Sequence, residues 1–343
     1  MQTPLQFYVA RFLLGLAEAG FFPGVIVYFS HWFPRAERGR ALAGMILAVP
    51  FSQALGAFVS GQLMKADWYG MAGWQWLFLV EGLPALLLGV AVPFLLADRP
   101  HQARWLSPAE NKWLEQTLEA ERHEATAGGG VTLSQAMLQP AVWLLALSIF
   151  AANTGGYALG FWLPTTVKGF LKEMGIDNAA DADVLAWVSV FYSCGLAGVW
   201  LSGKSSDRTG DRKWHCAAGM MFTGLFLAAS MGLGLPWEGV FALLCLTGFC
   251  AYFWPSPFWV LPTMTLSASA AAVAIGFINI SANIAGLLGA PVVGWLKTAG
   301  IPDRSCLLLL AACYGVGGAV IAFLRVPPRR APVEPKQLSA SPQ

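Results

Sequence analysis

Apolar residues come in long runs along this chain, each near the roughly 20 residues that an α-helix needs to cross a lipid hydrocarbon core. Nine such runs can be read: residues 5 to 30, 39 to 64, 75 to 96, 141 to 165, 184 to 203, 215 to 235, 238 to 264, 270 to 297 and 304 to 325. They predict an all-α polytopic membrane protein of about nine transmembrane helices, with the two termini on opposite sides. Between the third and fourth runs, residues 98 to 139 form one long polar segment. Its middle, SPAENKWLEQTLEAERH, opens with Ser107 and Pro108 followed by Glu110, a spacing in which the serine caps the helix start and the glutamate answers it. That helix is charged on most faces, with Trp105, Trp113 and Leu114 as its few apolar members, and is expected to lie along the membrane surface. Gly128, Gly129 and Gly130 follow as a flexible joint. The chain is therefore divided into a bundle over 1–97, a linker over 98–139, a six-helix bundle over 140–328 and a tail over 329–343.

Composition excludes a soluble domain, since 56% of residues are hydrophobic and 12% charged, against the usual quarter. The six cysteines (Cys194, Cys216, Cys245, Cys250, Cys306 and Cys313) form no Cys-x-x-Cys pair and read as small packed residues. His31, His101, His123 and His215 are scattered and build neither a metal site nor a catalytic dyad by spacing. Neither a cofactor nor a metal nor nucleic acid is called for. Lysine and arginine set the orientation. Loops holding Arg35, Arg38, Arg40, Arg99, Arg104, Lys112, Arg122, Lys204, Arg208, Arg212, Lys213, Arg325, Arg329, Arg330 and Lys336 alternate with loops holding Lys65, Lys168, Lys172, Lys297 and Arg304. The richer set is expected in the cytoplasm with the C-terminus, which puts Met1 outside without a basic flank, as though the chain had lost its beginning.

Arg11 and Glu18 lie inside the first apolar run. An ionisable side chain at mid-membrane costs roughly 2.5 to 3.5 kcal/mol even on insertion scales, so it is normally turned toward protein or water and functional. Seven residues apart, the two share one helical face about 10 Å apart along the axis. A fixed cation beside a titratable acid is what a proton-coupled carrier of anions needs. Two structural alternatives stand beside that reading: the pair neutralise each other, or Arg11 snorkels to the interface.

Further polar positions recur in the second part. Asn153 and Tyr157 are one turn apart among Gly155 and Gly156. Pro255, Pro257 and Pro262 break a helix around Ser256 and Trp259, and broken helices at membrane depth are tolerated where they line a cavity or are covered. Asn279 and Asn283 share a face among glycines, where interhelical packing would also explain them. Glu81 reads as structural. The segment GKSSDRTGDRK, residues 203 to 213, reads as a tight turn in which Gly203, Asp207, Arg208, Gly210 and Arg212 latch helix ends by ion pairs.

The stretches RFLLGLAEAGFFPG, WFPRAERGRA, GWQWLFLVEGLPALLLG, WLSPAE, GKSSDRTGDRK, PSPFWVLPT and AAAVAIGFINISANIAGLLGAPVVGWLK together resemble the major facilitator superfamily, and within it the anion:cation symporter family. The resemblance implies a fold of twelve helices in two halves, of which this chain would hold the fourth to the twelfth and lack the first three. It implies Arg11 as a substrate-side arginine, Glu18 as the proton-coupling carboxylate, and Ser256, Trp259 and Asn279 as cavity-lining residues, with Asn153 and Tyr157 beside them.

The expected function is proton-coupled symport of a small organic anion, a sugar acid, dicarboxylate or aromatic carboxylate. The expected setting is the cell (inner) membrane, as a multi-pass monomer surrounded by lipid. The alternatives are a drug:proton antiporter and a chain inactive without the first three helices. Against the antiporter, residues 44 to 56 read GMILAVPFSQALG rather than the GxxxGPxxGG of such exporters. An enzyme is not expected, because no convergent acid, base and nucleophile can be assembled.

Overall fold

The structure, a computed structural model, describes residues 3–127, 132–266 and 268–326. The proposed glycine joint at 128–130 and the tail at 329–343 lie outside the described residues. Fourteen helices follow in order: α1 (Pro4–Glu18), α2 (Phe21–Trp32), α3 (Arg35–Leu63), α4 (Gly73–Leu95), α5 (Pro108–Ala127), α6 (Leu133–Met137), α7 (Pro140–Glu173), α8 (Asp181–Thr209), α9 (Lys213–Gly232), α10 (Trp237–Phe253), α11 (Pro255–Phe258), α12 (Leu261–Thr265), α13 (Ala268–Thr298) and α14 (Asp303–Phe323). Among the described residues eight helical stretches are long and apolar enough to cross a membrane, where nine were expected.

The difference lies in residues 5 to 30, which form α1 and α2 rather than one helix. Pro23 has no N–H to offer the Ala19 carbonyl, so the ladder lapses there. Ala19 still donates to Gly15 at 3.0 Å and Gly24 to Gly20 at 2.9 Å, so the helix restarts within one turn. One element is not helical. Strands β1 (Asp67–Trp68) and β2 (Met71–Ala72) pair antiparallel, joined by Tyr69 (φ 54) and Gly70 (φ 70). Two consecutive left-handed residues are the geometry of the favoured two-residue hairpin turn. The hairpin shortens the link from α3 to α4, and Trp76 closes it by donating its indole N–H to the Trp68 carbonyl at 3.1 Å.

Packing is uneven along the chain. Among the described residues the largest side chains fully hidden from solvent, such as Leu145, Ile149, Leu163, Met220, Leu227, Phe258, Ile278, Leu310 and Ile321, all come from the part after residue 140. There α13, α7, α14, α9, α10 and α8 pack in that sequence, each against the next, and α3 adds to the free side of α8. Close approach is bought with small residues. Gly248 on α10 sits over the Phe191 carbonyl of α8, where a Cβ would come within 2.6 Å of the oxygen. In lipid this packing, with hydrogen bonds such as Ser148 to the Gly317 carbonyl at 2.8 Å, supplies the association that the hydrophobic effect cannot. By contrast α1 has no buried residue and the apolar window of α4 is 0% buried, against 56% for α7.

Candidate functional site

Arg11 and Glu18 are both on α1 and both exposed. The Arg11 guanidinium lies 5.8 Å from the centre of the Phe7 ring, one turn back on the same helix. Among the described residues neither charge makes a hydrogen bond or ion pair. They are not brought against Asn153, Tyr157, Ser256, Trp259 or Asn279. On the following helix, α2, the Phe22 ring meets the Trp259 ring at 5.9 Å.

The other candidates divide by environment. Pro255, Pro257 and Pro262 do break the seventh apolar run, which becomes α10, α11 and α12. Ser256 is buried in that break and Trp259 stands edge-on to Phe258 at 5.6 Å. Tyr157 is half exposed, and its ring lies against Gly286 of α13, so it serves the packing of α7 on α13 as well as facing outward. Asn153 and Asn279 are half-buried. Asn283 donates its side-chain amide to the Asn279 carbonyl at 2.8 Å, a bond within its own helix rather than between helices.

Four polar groups that the sequence reading passed over converge at the centre of the bundle. Tyr252 of α10 donates its hydroxyl to the side-chain carbonyl of Gln53 on α3. Tyr192 of α8 meets the Tyr252 ring at 6.2 Å, nearly perpendicular, and Tyr314 of α14 is buried against Gly155 and Gly156 of α7. Each of these residues lies in a different apolar run, so no local spacing links them. The available signal was polarity alone: Gln53 is an amide near the middle of a run able to cross the membrane.

The turn over 203 to 213 is shorter than expected, which corrects the sequence reading. Gly203, Asp207 and Arg208 are helical, because α8 continues through Thr209. Gly210 ends it in the left-handed conformation (φ 71), which glycine adopts without strain, and donates to the Ser206 carbonyl at 2.9 Å. One ion pair of the segment is formed. Arg212 pairs with Asp207, and its second terminal nitrogen reaches the Ser206 hydroxyl at 2.5 Å. His215 shares a hydrogen bond with Ser205 at 2.9 Å, and Asp211 accepts from the Trp214 amide at 3.1 Å, capping α9. Arg208 is exposed, and the space beside Gly203 is open. Glu81 is satisfied as expected, accepting the Ser60 hydroxyl at 2.6 Å.

A profile of the family described as "Major Facilitator Superfamily" matches residues 1–290. The chain belongs to the major facilitator superfamily, a family of membrane transporters and not of enzymes. It is 39% identical over 323 residues to a protein of Agrobacterium vitis named "Putative tartrate transporter", covering 91% of this chain and 69% of that one. It is 34% identical to the "Inner membrane transport protein RhmT" of Escherichia coli (strain K12), covering 94% and 73%. A "Quinolone resistance transporter" of Acinetobacter baumannii is 33% identical, covering 87% and 67%. The fold is similar to that of the proton:xylose symporter XylE, with a TM-score of 0.61 at 16% identity over 87% of this chain and 66% of XylE. The chain thus spans about two thirds of the length of these relatives.

Proposed function

We propose that the protein is a secondary carrier that moves a small organic anion together with protons across the cell (inner) membrane. The observation that carries this reading is the presence of Arg11 and Glu18 in one apolar run of a chain 39% identical to a protein named for tartrate transport. Arg11 would hold the carboxylate and Glu18 would load and release the proton. Asn153, Tyr157, Ser256, Trp259 and Asn279 would meet the rest of the substrate. The motif of Gly203, Asp207, Arg208, Gly210 and Arg212 would act on conformation, because it lies at the end of α8 rather than in its middle. The excess of lysine and arginine in the loops at that end supports a cytoplasmic side for it and for the C-terminus. The division at residues 98–139 separates the bundle of α1 to α4 from the bundle of α7 to α14, and the carrier works as a monomer in lipid.

The test is uptake of labelled tartrate and hexuronates into proteoliposomes, with and without an inward proton gradient. Accumulation that needs the gradient supports the reading, and indifference of anion entry to the gradient removes its proton. The likeness to a quinolone resistance transporter keeps a second reading open, drug:proton antiport. It predicts gradient-driven quinolone efflux with no anion uptake. Absence of both would leave an inactive chain.

A further inference from the structure

Two helices from opposite sides of the linker, α3 and α8, pack against one another. They run antiparallel. Near the C-terminal end of α3, a Cβ on Gly61 would lie 3.2 Å from the Ala182 carbonyl. Seven residues back along α3, the Ala54 carbonyl accepts the Ser189 hydroxyl, seven residues on along α8, at 2.9 Å. At the next step the Gln53 side chain takes the Tyr252 hydroxyl. The same register would then bring Leu47 opposite Leu196 and Gly44 opposite Val199. At that level a cavity of about 600 Å³ lies between Leu47, Phe51, Ser193, Leu196 and Trp200.

The exposure of the two surfaces follows the same division. Ala54, Gly61, Leu63 and Ala182 are buried, whereas Gly44, Ala48, Phe51, Ala197 and Trp200 are exposed. The helices therefore form a wedge, shut at the end that carries residues 63 and 181 and open toward the end that carries Arg38, Arg40, Lys204 and Arg208. The Gln53–Tyr252 bond lies where the wedge begins.

Resting on the transporter reading above, we infer that Gln53, Tyr252 and Ser189 are positioning residues of the transport cycle. Their hydrogen bonds bolt the substrate pathway shut on one side while it stands open toward the basic end, and they must break before that side can open. Tyr252 suits a bolt because its ring is held against Gly195 of its neighbour α8 while its hydroxyl reaches across to the other half. The bonded atoms are neutral, so the bolt can part without stranding a charge in lipid.

The experiment labels single engineered thiols with a membrane-impermeant maleimide and reads each site by peptide mass spectrometry, in the full chain with its native cysteines. Leu47→Cys reports the open cavity, Ala57→Cys the shut side, and native Cys216, fully buried in the bundle core, reports unfolding. In vesicles exposing the basic end, residue 47 should label about tenfold faster than 57. Tyr252→Phe, which keeps the ring and drops the hydroxyl, should raise labelling at 57 from the opposite side about fivefold, the population shift expected of one neutral hydrogen bond. Ser189→Ala should act in the same direction. Equal labelling of 47 and 57 in the parent chain overturns the inference. So does unchanged labelling at 57 in both variants, or a rise there matched by Cys216. None of these readings requires transport, so a failed uptake assay would count against the carrier reading and not against the wedge.

Discussion

Arg38, at the start of α3, pairs with Glu121 on the surface helix α5 at 3.2 Å, across 83 residues of sequence. The same guanidinium donates to the carbonyls of Phe33 at 2.8 Å and Ser30 at 3.3 Å, so it ties the end of α2, the start of α3 and α5 into one corner. Trp105, just before α5, stacks on Trp32 at 5.7 Å and 10°. The polar linker is therefore docked on this corner, with Trp105 stacked on Trp32 and otherwise exposed.

From that corner, Glu121→Gln is expected to loosen α5 without disturbing α7 to α14. Both side chains are partly exposed, so the loss should be modest, on the order of 1 kcal/mol or less. Hydrogen exchange in detergent should show faster exchange over 108–123 and unchanged protection in α7.

Acid should fray the start of α5. Glu110 accepts from the Ser107 hydroxyl at 2.7 Å and from its amide at 3.0 Å, while Ser107 accepts from the Glu110 amide at 3.3 Å. These bonds, the side-chain one first, hold the Glu110 carboxyl below its ordinary range. A carboxyl lowered in the folded state contributes stability above its unfolded value, and that contribution is lost as pH falls through the lowered folded value. Amide shifts of residues 109–112 should therefore move on acidification, and Glu110→Gln should flatten the response.

Glu18→Gln should keep anion exchange and lose gradient-driven accumulation, whereas Arg11→Ala should lose anion binding itself. Exchange and net uptake in proteoliposomes separate the two. Intact accumulation in both variants would remove the assigned roles.

Asp207→Asn and Arg212→Ala should slow turnover to a similar degree with little change in substrate Kd, because each breaks the same pair. Their double variant should be no worse than either alone, since residues acting through one contact are not additive. Arg208→Ala makes the contrast: that side chain is exposed, and slowing by it would have to come from a contact made in another state. The measurement is initial rate and Kd on the same preparations.

Gly248→Leu should lower the melting temperature of the bundle in detergent. The α10 backbone stands against the Phe191 carbonyl of α8, and overpacking of this kind typically costs about 1 to 3 kcal/mol or more. Gly203→Ala, where the space is open, should leave melting nearly unchanged.

Span length and polarity are local properties, and they were legible in the chain. An apolar run near 20 residues must satisfy its backbone internally, so it is helical whatever surrounds it. The eight long helices, the proline break around Ser256 and the Ser107–Glu110 cap all follow from residues within a few positions of one another. The lapse at Ala19 and the continuation of α8 through Thr209 were less legible. In the first a single proline decides whether one helix or two forms, and in the second charged residues suit a helix end as well as a turn. What faces what is another matter. Which side of α3 is covered, that Tyr252 finds Gln53 199 residues away, and that Ser189 of α8 finds the Ala54 carbonyl of α3 depend on how separate helices approach. Packing between helices is decided by side chains and close backbone contacts far apart in sequence, and only the folded arrangement brings them together.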